Sequence, residues 1–373
     1  MRIAVASESF LPRINGVTNS VARVLEHVER TGETAIVYAP GVEAGSSYAG
    51  VEVIGLPWVP MPGYREVCIS TAGTRTFVNH FREFRPDVIH LASPFVIGPP
   101  VIRAARSLGI PVVAVFQTDM AGFASQYGLS ALQDMAWNRL RRIHDGADVT
   151  LVPSSATYAM LEAQGFSRLA LWPRGVDVDR FNPLHRSEQL RQRLGAPDKV
   201  VVGYMGRLAH EKEVSQLAVF NDDPRIQVVI VGDGPARSSL QVQLPRAVFT
   251  GLLTGHELAQ TVASLDVAVH TGRHETFCQS VQEAMASGVP VVAPASGGPL
   301  DLVQPSRTGW LYRPGDADDL RQWVTDLVGD GYKRTAMGQA ARDAVEHRTW
   351  SHIGDLLFSH YESVRSIRGL SRG

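Results

Sequence analysis

Short apolar runs alternate with longer amphipathic stretches along the first half of the chain. Continuous apolar residues predict buried strands at Arg2–Ser7, Ala35–Ala39, Asp87–Leu91 and Val112–Phe116. Apolar residues recur every three or four positions over Val17–Val28, which predicts a helix between the first two strands. Strands without polar alternation that are joined by helices are typical of a parallel sheet with both faces covered. The sequence therefore predicts a doubly wound α/β domain.

The same pattern restarts in the second half of the chain. Its predicted strands are Val200–Met205, Gln227–Val231, Val248–Gly251, Val267–Thr271 and Val289–Ala293. A turn-rich connector, Arg174–Pro183, precedes them, so we expect two Rossmann-like domains, residues 1–172 and 173–350, facing each other across a cleft. An amphipathic stretch at about Ser351–Arg365 predicts a last helix that packs back on the first domain. Ligands of such sheets bind at the carboxyl ends of the strands.

Composition excludes several classes of protein. The 36 basic and 37 acidic residues give no basic surplus for nucleic-acid binding. Two cysteines, Cys68 and Cys278, exclude a disulfide scaffold and suit a reducing cytosol. The N-terminal residues lead directly into a strand, and no apolar run reaches the ~18–20 residues of a membrane span, so we expect a cytoplasmic protein without a signal peptide. The chain has three lysines against 33 arginines, so a lysine that follows a strand is informative.

Polar segments follow two strands of the first domain. Asn15 and Gly16 make a tight turn before the first helix, and the missing side chain would let a phosphate approach closely. Gln117, Thr118 and Asp119 follow a later buried strand. These three residues either point into the cleft or begin a helix, with Thr118 or Asp119 as its N-cap. The residues alone leave both interpretations open.

A basic pair follows the first strand of the second domain. Arg207 and Lys212 lie just after Gly206, where a bidentate guanidinium and a point-charge ammonium would suit a diphosphate. The scarcity of lysine favours this function over a solvated surface pair. Two later turns, Gly232–Pro235 and Phe249–Leu253, also follow strands, and a structural role explains them as well as ligand contact does.

Two glutamates lie eight positions apart near a predicted helix, Gln279–Ser287. Glu275 precedes the helix and Glu283 lies on it, so the free N–H groups of the first turn lie between the two carboxylates. This arrangement would hold a phosphate and two hydroxyl-bearing sugar rings, as binding of a nucleotide sugar requires. The alternatives are a solvated helix glutamate and a carboxylate that complements the helix dipole.

Other catalytic patterns are missing from the sequence. No histidine cluster has metal-ligand spacing, and no Asp-x-Asp pair follows a strand as a sugar-nucleotide metal site needs. No Gly-x-Ser-x-Gly turn supports a Ser–His–Asp triad. We therefore expect neither a metal ion nor another cofactor.

Taken in order, these segments resemble the family 4 retaining glycosyltransferases of the GT-B fold over nearly the whole chain. The ordered motifs are Asn15–Val17, Arg174–Asp177, Gly206-Arg207 with Glu211-Lys212, Gly232–Pro235, and Glu275 with Glu283 followed by Gly-x-Pro-Val-Val-Ala. Each motif is weak alone, but their common order is specific. The region around Phe116–Asp119 looks most like actinobacterial GDP-mannose-dependent α-mannosyltransferases that build membrane mannolipids. Sulfoquinovosyl-diacylglycerol synthases look related at the same points.

The resemblance implies a role for each matching residue. Arg207 and Lys212 would bind the diphosphate, Glu275 would contact the transferred sugar, and Glu283 would hold the ribose hydroxyls. The other donor-side positions are Gly16, Asp119, Gly206, Leu252, Leu253, Thr276, Phe277 and Cys278, and the acceptor-side positions are Gln117 and Thr118. Because many members have a histidine where this chain has Gln117, we expect no histidine contact to the sugar there. Cys278 stands where glycine is common, which would narrow the sugar pocket.

The implied activity is the transfer of a hexose, mannose from GDP-mannose, to a lipid or glycolipid acceptor in α linkage. The alternatives are a UDP-sugar-dependent transferase (glucosyl, N-acetylglucosaminyl or sulfoquinovosyl), a GT-B sugar-nucleotide epimerase, and a non-catalytic sugar-nucleotide-binding protein. A lipid acceptor implies peripheral contact with the inner face of the plasma membrane. Val59–Val67 and the arginines and phenylalanines of residues 75–85 fit such a surface, but core packing explains the phenylalanines equally well.

Overall fold

The computed structural model describes residues 1–13, 15–43, 45–61, 64–117 and 130–370. The chain divides into two compact units. The first comprises Met1–Pro173 and Trp350–Gly373, and the second comprises Arg174–Thr349. None of the described helices combines the length and the apolar character needed to cross a membrane.

The first unit contains an eight-stranded sheet and a two-stranded ribbon. Its strands are β1 Arg2–Ala6, β2 Thr34–Pro40, β3 Ser46–Tyr48, β4 Val51–Leu56, β5 Trp58–Met61, β6 Tyr64–Ser70, β7 Val88–Leu91, β8 Val112–Val115, β9 Val149–Val152 and β10 Leu169–Leu171. The sheet order is β10-β9-β8-β7-β1-β2-β4-β3; β3 pairs antiparallel with β4, and the other pairs are parallel. The ribbon pairs β5 with β6. The first five described helices are α1 Gly16–Thr31, α2 Thr74–Phe84, α3 Gly98–Leu108, α4 Ser130–His144 and α5 Ser155–Ala163.

The ends of α1 follow from its sequence. Asn15 is the N-cap, and its side chain accepts a hydrogen bond from the Thr18 N–H at 2.9 Å. Gly32 ends the helix with a φ of 69°, a left-handed conformation that glycine adopts without steric cost. Valine and leucine residues on one face, including Val21 and Leu25, are fully buried against the sheet. The helix is therefore fixed by its caps and by one apolar stripe.

Residues 46–70 form four strands that the pattern of apolar runs does not predict. In β4, buried and exposed residues alternate because the strand lies beside the sheet edge, so no continuous apolar run marks it. The described side chains of β5 are all exposed, and one of them is Pro60. Runs of consecutive apolar residues detect the buried parallel strands and miss these edge elements.

The second unit contains a six-stranded parallel sheet in the order β13-β12-β11-β14-β15-β16. Its strands are β11 Val200–Met205, β12 Ile226–Val231, β13 Val248–Gly251, β14 Val267–Val269, β15 Val291–Pro294 and β16 Gly309–Tyr312. Its α-helices are α6 Glu188–Arg193, α7 Arg237–Gln243, α8 Gly255–Ala263, α9 Gln279–Ala286, α10 Pro299–Leu302, α11 Ala317–Gly329 and α12 Gly331–Val345. Short 3₁₀ helices span Pro183–His185, His210–Lys212 and Val214–Phe220. The doubly wound α/β architecture predicted from the sequence is confirmed in both units.

The last helix, α13 Trp350–Leu370, belongs to the first unit. Leu357 and Tyr361 are fully buried in the core that also contains strands β1 and β8. The Trp172 indole donates a hydrogen bond to the Ile353 carbonyl at 3.0 Å, and the Tyr361 hydroxyl lies 2.8 Å from His90 Nδ1. The amphipathic pattern thus covers an apolar face of the first sheet.

Candidate active site

The order of strands in the second sheet reverses between β11 and β14, which are hydrogen-bonded neighbours. In open parallel sheets, ligands bind outside the carboxyl ends of the strands at such a switch point. Arg207 and Lys212 follow β11, and His270 and Glu275 follow β14. The polar segments on either side of the switch point therefore come from two distant parts of the chain.

A charged cluster of Lys212, Glu275 and His270 lies at this point. Lys212 Nζ donates a hydrogen bond to Glu275 Oε1 at 2.5 Å, and His270 Nε2 forms an ion-pair contact with the same oxygen at 3.2 Å. The Thr271 hydroxyl donates to the Lys212 carbonyl at 2.5 Å and so ties the two segments together. The Tyr204 ring is stacked on the His270 imidazole, with 6.2 Å between ring centroids.

The charges of this cluster support one another. Burial opposes ionisation of Glu275, but His270 and Lys212 lower the pKa of its carboxyl to about 2. Burial also opposes the charged form of His270, but the Cys278 sulfur and the Glu275 carboxylate raise the pKa of the imidazole to about 10. At neutral pH Lys212 and His270 are thus cations on either side of the Glu275 carboxylate, and the Cys278 sulfur is a further neighbour of the imidazole.

The segment between Glu275 and α9 is held by close backbone packing. The Glu275 carbonyl accepts a hydrogen bond from the Gly298 N–H at 2.8 Å. A Cβ on Gly298 would lie 1.9 Å from the Phe277 carbonyl oxygen, so only glycine fits there. Cys278, the N-cap of α9, has a φ of 78°, and no side chain caps the helix. The N–H groups of the first turn of α9 are thus not engaged by a capping side chain.

The other donor-side positions of the second unit differ in their surroundings. Phe277 and Cys278 are buried in the core, whereas Thr276 is half-buried. Glu283 is the fifth residue of α9 and is half-buried. Leu252 is 75% exposed after β13, whereas the next residue, Leu253, packs against the core.

Arg207 and Lys212 do not have the same environment, although the sequence pairs them. The Arg207 side chain is exposed, and no described residue hydrogen-bonds or ion-pairs with its guanidinium. Lys212 is engaged with Glu275 and is 24% exposed. Gly206, just before Arg207, has a φ of 153°, which glycine tolerates and other residues rarely adopt.

Two of the sequence-predicted residues of the first unit lie in the described part of the chain. Gly16 is the exposed first residue of α1, and a Cβ there would meet nothing within 4 Å. The Gln117 amide donates a hydrogen bond to the Ala92 carbonyl at 3.0 Å. Thr118 and Asp119 lie outside the described residues.

His270 is a member of the cluster that the sequence did not single out. It has no metal-ligand spacing, and the only sequence clue is its position just after a buried strand. Within the described residues, no group of three or more His, Cys, Asp or Glu side chains could hold a metal ion.

Comparison with known proteins gives concordant results. The model of Glycosyltransferase Family 4 matches residues 14–180, and the model of Glycosyl transferases group 1 matches residues 186–344. A GDP-mannose-dependent alpha-mannosyltransferase of Mycobacterium tuberculosis is 48% identical over 99% of this chain and 98% of its own length. A sulfoquinovosyl transferase of Arabidopsis thaliana is 35% identical over 90% of this chain and 68% of its own length.

A solved structure shows the same fold at low identity. Sucrose-phosphate synthase from Thermosynechococcus elongatus has a TM-score of 0.83 and covers 98% of this chain and 99% of its own. Its sequence is 20% identical, so the likeness concerns the fold alone.

Replacement of Glu275 by glutamine should reveal the electrostatic role of the carboxylate. Its pKa falls from an ordinary 4.5 to about 2 on folding, so its stabilisation is present above pH 4.5 and is lost as the pH falls through about 2. We expect Glu275→Gln to lower the free energy of unfolding by about 1–3 kcal/mol at pH 7. The difference from the wild type should shrink as the pH falls below 4.5. Urea denaturation of both proteins at several pH values measures this difference in the free energy of unfolding.

The matched control is Glu257→Gln, an exposed glutamate in the first turn of α8. This variant should stay within about 0.5 kcal/mol of the wild type at each pH. A Glu275→Gln deficit that stays constant from pH 7 to pH 2 would show that the ion pairs do not cause it.

Proposed function

Because this chain belongs to the glycosyltransferase family that these two models describe, we propose that it transfers mannose from GDP-mannose to a lipid or glycolipid acceptor in α linkage. The family and the GT-B fold that the motifs implied are confirmed. The mycobacterial relative carries the proposed donor and sugar in its name, and nearly half of its residues are identical to those of this chain along the full length. This full-length identity supports the same donor here.

The cluster of Lys212, Glu275 and His270 carries the proposal. It places the cationic side chains of Lys212 and His270 at the switch point of the second sheet, where a ligand is expected. Arg207 follows β11, as Lys212 does, and its guanidinium can bind two phosphate oxygens at once. The N–H groups at the start of α9 add further donors. We therefore assign the diphosphate of GDP-mannose to this unit.

The remaining donor contacts follow the family resemblance. Glu275 contacts the transferred mannose, and Glu283 on α9 holds the ribose hydroxyls. The backbone of Thr276–Cys278 contacts sugar or phosphate, and the backbone of Leu252 and Leu253 reads the base. Gly206 lets the backbone approach the diphosphate.

The ionisation states support a mechanism without a protein base in this cluster. Negative charge develops on the departing GDP as the sugar becomes oxocarbenium-like, and Arg207, Lys212 and His270 stabilise that charge. These cations act directly, so the proposed reaction includes no metal ion. Glu275, with a pKa of about 2, cannot accept a proton at neutral pH. In this proposal the acceptor attacks on the face that GDP leaves, and the leaving phosphate takes the acceptor proton, so the configuration is retained.

The first unit binds the acceptor in this proposal. Gly16 admits the diphosphate to that unit, Asp119 belongs to the donor side, and Gln117 and Thr118 belong to the acceptor side. A lipid acceptor brings the protein to the membrane surface, and we assign the contact to the ribbon of β5 and β6, where Trp58 is 44% and Val59 47% exposed. The phenylalanines Phe77 and Phe81 are buried and take no part in it.

A donor panel tests the function. We expect GDP and GDP-mannose to raise the unfolding temperature of the protein, whereas UDP and dTDP sugars should not. With GDP-mannose and vesicles of a bacterial lipid extract, mass spectrometry should detect lipids heavier by one hexose. Pelleting the same vesicles reports whether the protein binds them.

Each failure in this panel has a distinct meaning. Stabilisation by UDP sugars alone would contradict the mannosyl assignment and favour a UDP-sugar-dependent transferase. A donor that is rearranged in the absence of any acceptor would indicate an epimerase.

Arg207→Ala should lower transfer about 100-fold, because a preorganised cation at the leaving group is lost. The free energy of unfolding should remain unchanged, because no described residue is bound to the guanidinium. Steady-state kinetics and urea denaturation measure the two quantities. Arg193→Ala, an exposed arginine of α6, is the control and should keep full activity. Full activity in Arg207→Ala would contradict the proposal that Arg207 binds the diphosphate. Lys212→Ala is a less informative variant because it also breaks the ion pair with Glu275.

Gly16→Ala tests close approach of the diphosphate to α1. A methyl group at residue 16 meets no atom of the protein within 4 Å, so stability should be unchanged or slightly higher. Transfer should nevertheless fall at least about tenfold if the ligand occupies that space. The control is Gly73→Ala, the N-cap of α2, where a methyl group also meets nothing. Unchanged kcat/KM for Gly16→Ala would rule out this approach.

A further inference from the structure

A small cavity with a mostly apolar lining and a few polar side chains lies at the switch point of the first sheet. The strand order reverses between the neighbours β1 and β7, and Glu8 and Ser93 follow their carboxyl ends. The cavity has a volume of about 100 Å³. Its polar lining residues are Glu8, Ser93, Gln117 and His144. Its position is where a doubly wound sheet binds a ligand.

Glu8 is fixed in this cavity by one of its two carboxylate oxygens. Oε1 accepts hydrogen bonds from the N–H groups of Val96 and Ile97, the latter at 3.1 Å. The Glu8 N–H donates to the Ser93 hydroxyl at 2.8 Å. No residue in the described ranges bonds the second oxygen, Oε2. The side chain is therefore oriented by the backbone and keeps one acceptor for a ligand.

His144 supplies a second polar atom. It is only 2% exposed, and its Nδ1 lies 3.1 Å from the Thr150 hydroxyl. Its Nε2 is buried and has no hydrogen-bond partner in the described part of the chain. A buried polar atom without a partner is costly, so such atoms are normally satisfied by a ligand or water. His144 thus adds one such buried atom to a cavity that the half-buried Glu8 also lines.

We propose that this cavity binds a neutral, hydroxyl-bearing part of the acceptor, with Glu8 Oε2 accepting a hydrogen bond from a hydroxyl and His144 making a second contact. The proposal rests on the proposed transferase function and names the chemistry of the acceptor at that site. A phosphate is disfavoured in this cavity above about pH 7, where it would meet the ionised carboxylate. The small volume suits the hydroxyl groups on one edge of a sugar or glycerol unit.

The charges around the cavity agree with this assignment. Burial raises the pKa of Glu8 to about 7, although its two backbone hydrogen bonds and the Arg139 charge lower it. Burial lowers the pKa of His144 to about 4, so this imidazole is neutral at pH 7. Arg139 and His144, both on α4, are the charged and titratable groups that face Glu8 among the described residues. Acceptor binding should therefore strengthen as the pH rises through about 7, where Glu8 ionises.

Glu8→Gln tests the proposal because the amide oxygen can still accept the Val96 and Ile97 hydrogen bonds. At pH 8 the KM for the lipid acceptor should rise about tenfold or more, since a charged acceptor of the hydroxyl is lost. The difference should be small at pH 6, where the wild-type carboxyl is largely protonated. The KM for the donor and the slow hydrolysis of the donor in water should not change. Glu52→Gln, an exposed glutamate of β4, is the control.

A second measurement does not depend on turnover. Carboxyl-¹³C NMR of glutamate-labelled protein follows Glu8, whose resonance is identified by its absence in Glu8→Gln. Glycerol added up to molar concentration should lower the apparent pKa of Glu8, because the ionised form binds the hydroxyls more strongly.

Two results would overturn the proposal. The first is an acceptor KM at pH 8 that is the same in Glu8→Gln as in the wild type. A rise in this KM that comes with an equal loss of donor hydrolysis counts in the same way, because a purely structural role of Glu8 predicts both effects. The second is a Glu8 pKa that does not change when glycerol is added. This result decides the question even if the wild type transfers no sugar. If the wild type uses a UDP-sugar, the donor assignment fails and the same comparison is made with that donor.

Discussion

The charged cluster of the second unit depends on one largely buried carboxylate, that of Glu275, whose side chain is 18% exposed. An ionised carboxylate that is removed from water must be paired, and removal of one partner leaves an uncompensated charge. Lys212 and His270 meet this requirement from segments that follow two adjacent strands. The parallel sheet brings these strands together although they are far apart in the sequence. The ion pairs therefore connect the segment after β11 with the segment after β14 at the switch point. They also determine the charge of the surface that a ligand contacts there.

The loop that carries Glu275 also contains backbone strain. Cys278 has a φ of 78°, which costs an L-residue about 1–2 kcal/mol and costs glycine nothing. Glycine, which the family resemblance implies at this position, would adopt this conformation without that cost. Burial of the cysteine side chain in the core offsets part of the cost, so the conformation is kept at the N-terminus of α9. Strain of this kind is often found where a backbone must present its N–H groups to a ligand.

The sequence predicted the parts of the fold that depend on continuous burial. Central parallel strands such as β1, β8 and β15 are runs of valine, isoleucine and alanine because both of their faces are covered. Strand β4 and the ribbon of β5 and β6 were missed because alternating or exposed positions leave no such run. Lys212 and Glu275 were found through a scarce residue type and a motif. The direct hydrogen bond between Lys212 and Glu275 was not predicted from the sequence. The contact of His270 with Glu275 was not predicted either, because a single histidine after a strand has no spacing that indicates its partner.

The ionisation states of the two units complement each other. In the second unit, Glu275 has a pKa of about 2 and His270 a pKa of about 10, so neither can take up a proton from a hydroxyl at neutral pH. That cluster can stabilise an anion but cannot act as a base, which agrees with proton transfer to the leaving phosphate. In the first unit, Glu8 has a pKa of about 7 and lines the same cavity as a neutral His144, which is the setting that we propose for the hydroxyl groups of the acceptor. In the mechanism that we propose, the cations of the second unit therefore attract the anionic donor, whereas the cavity of Glu8 and His144 offers hydrogen-bond partners for the hydroxyls of the acceptor.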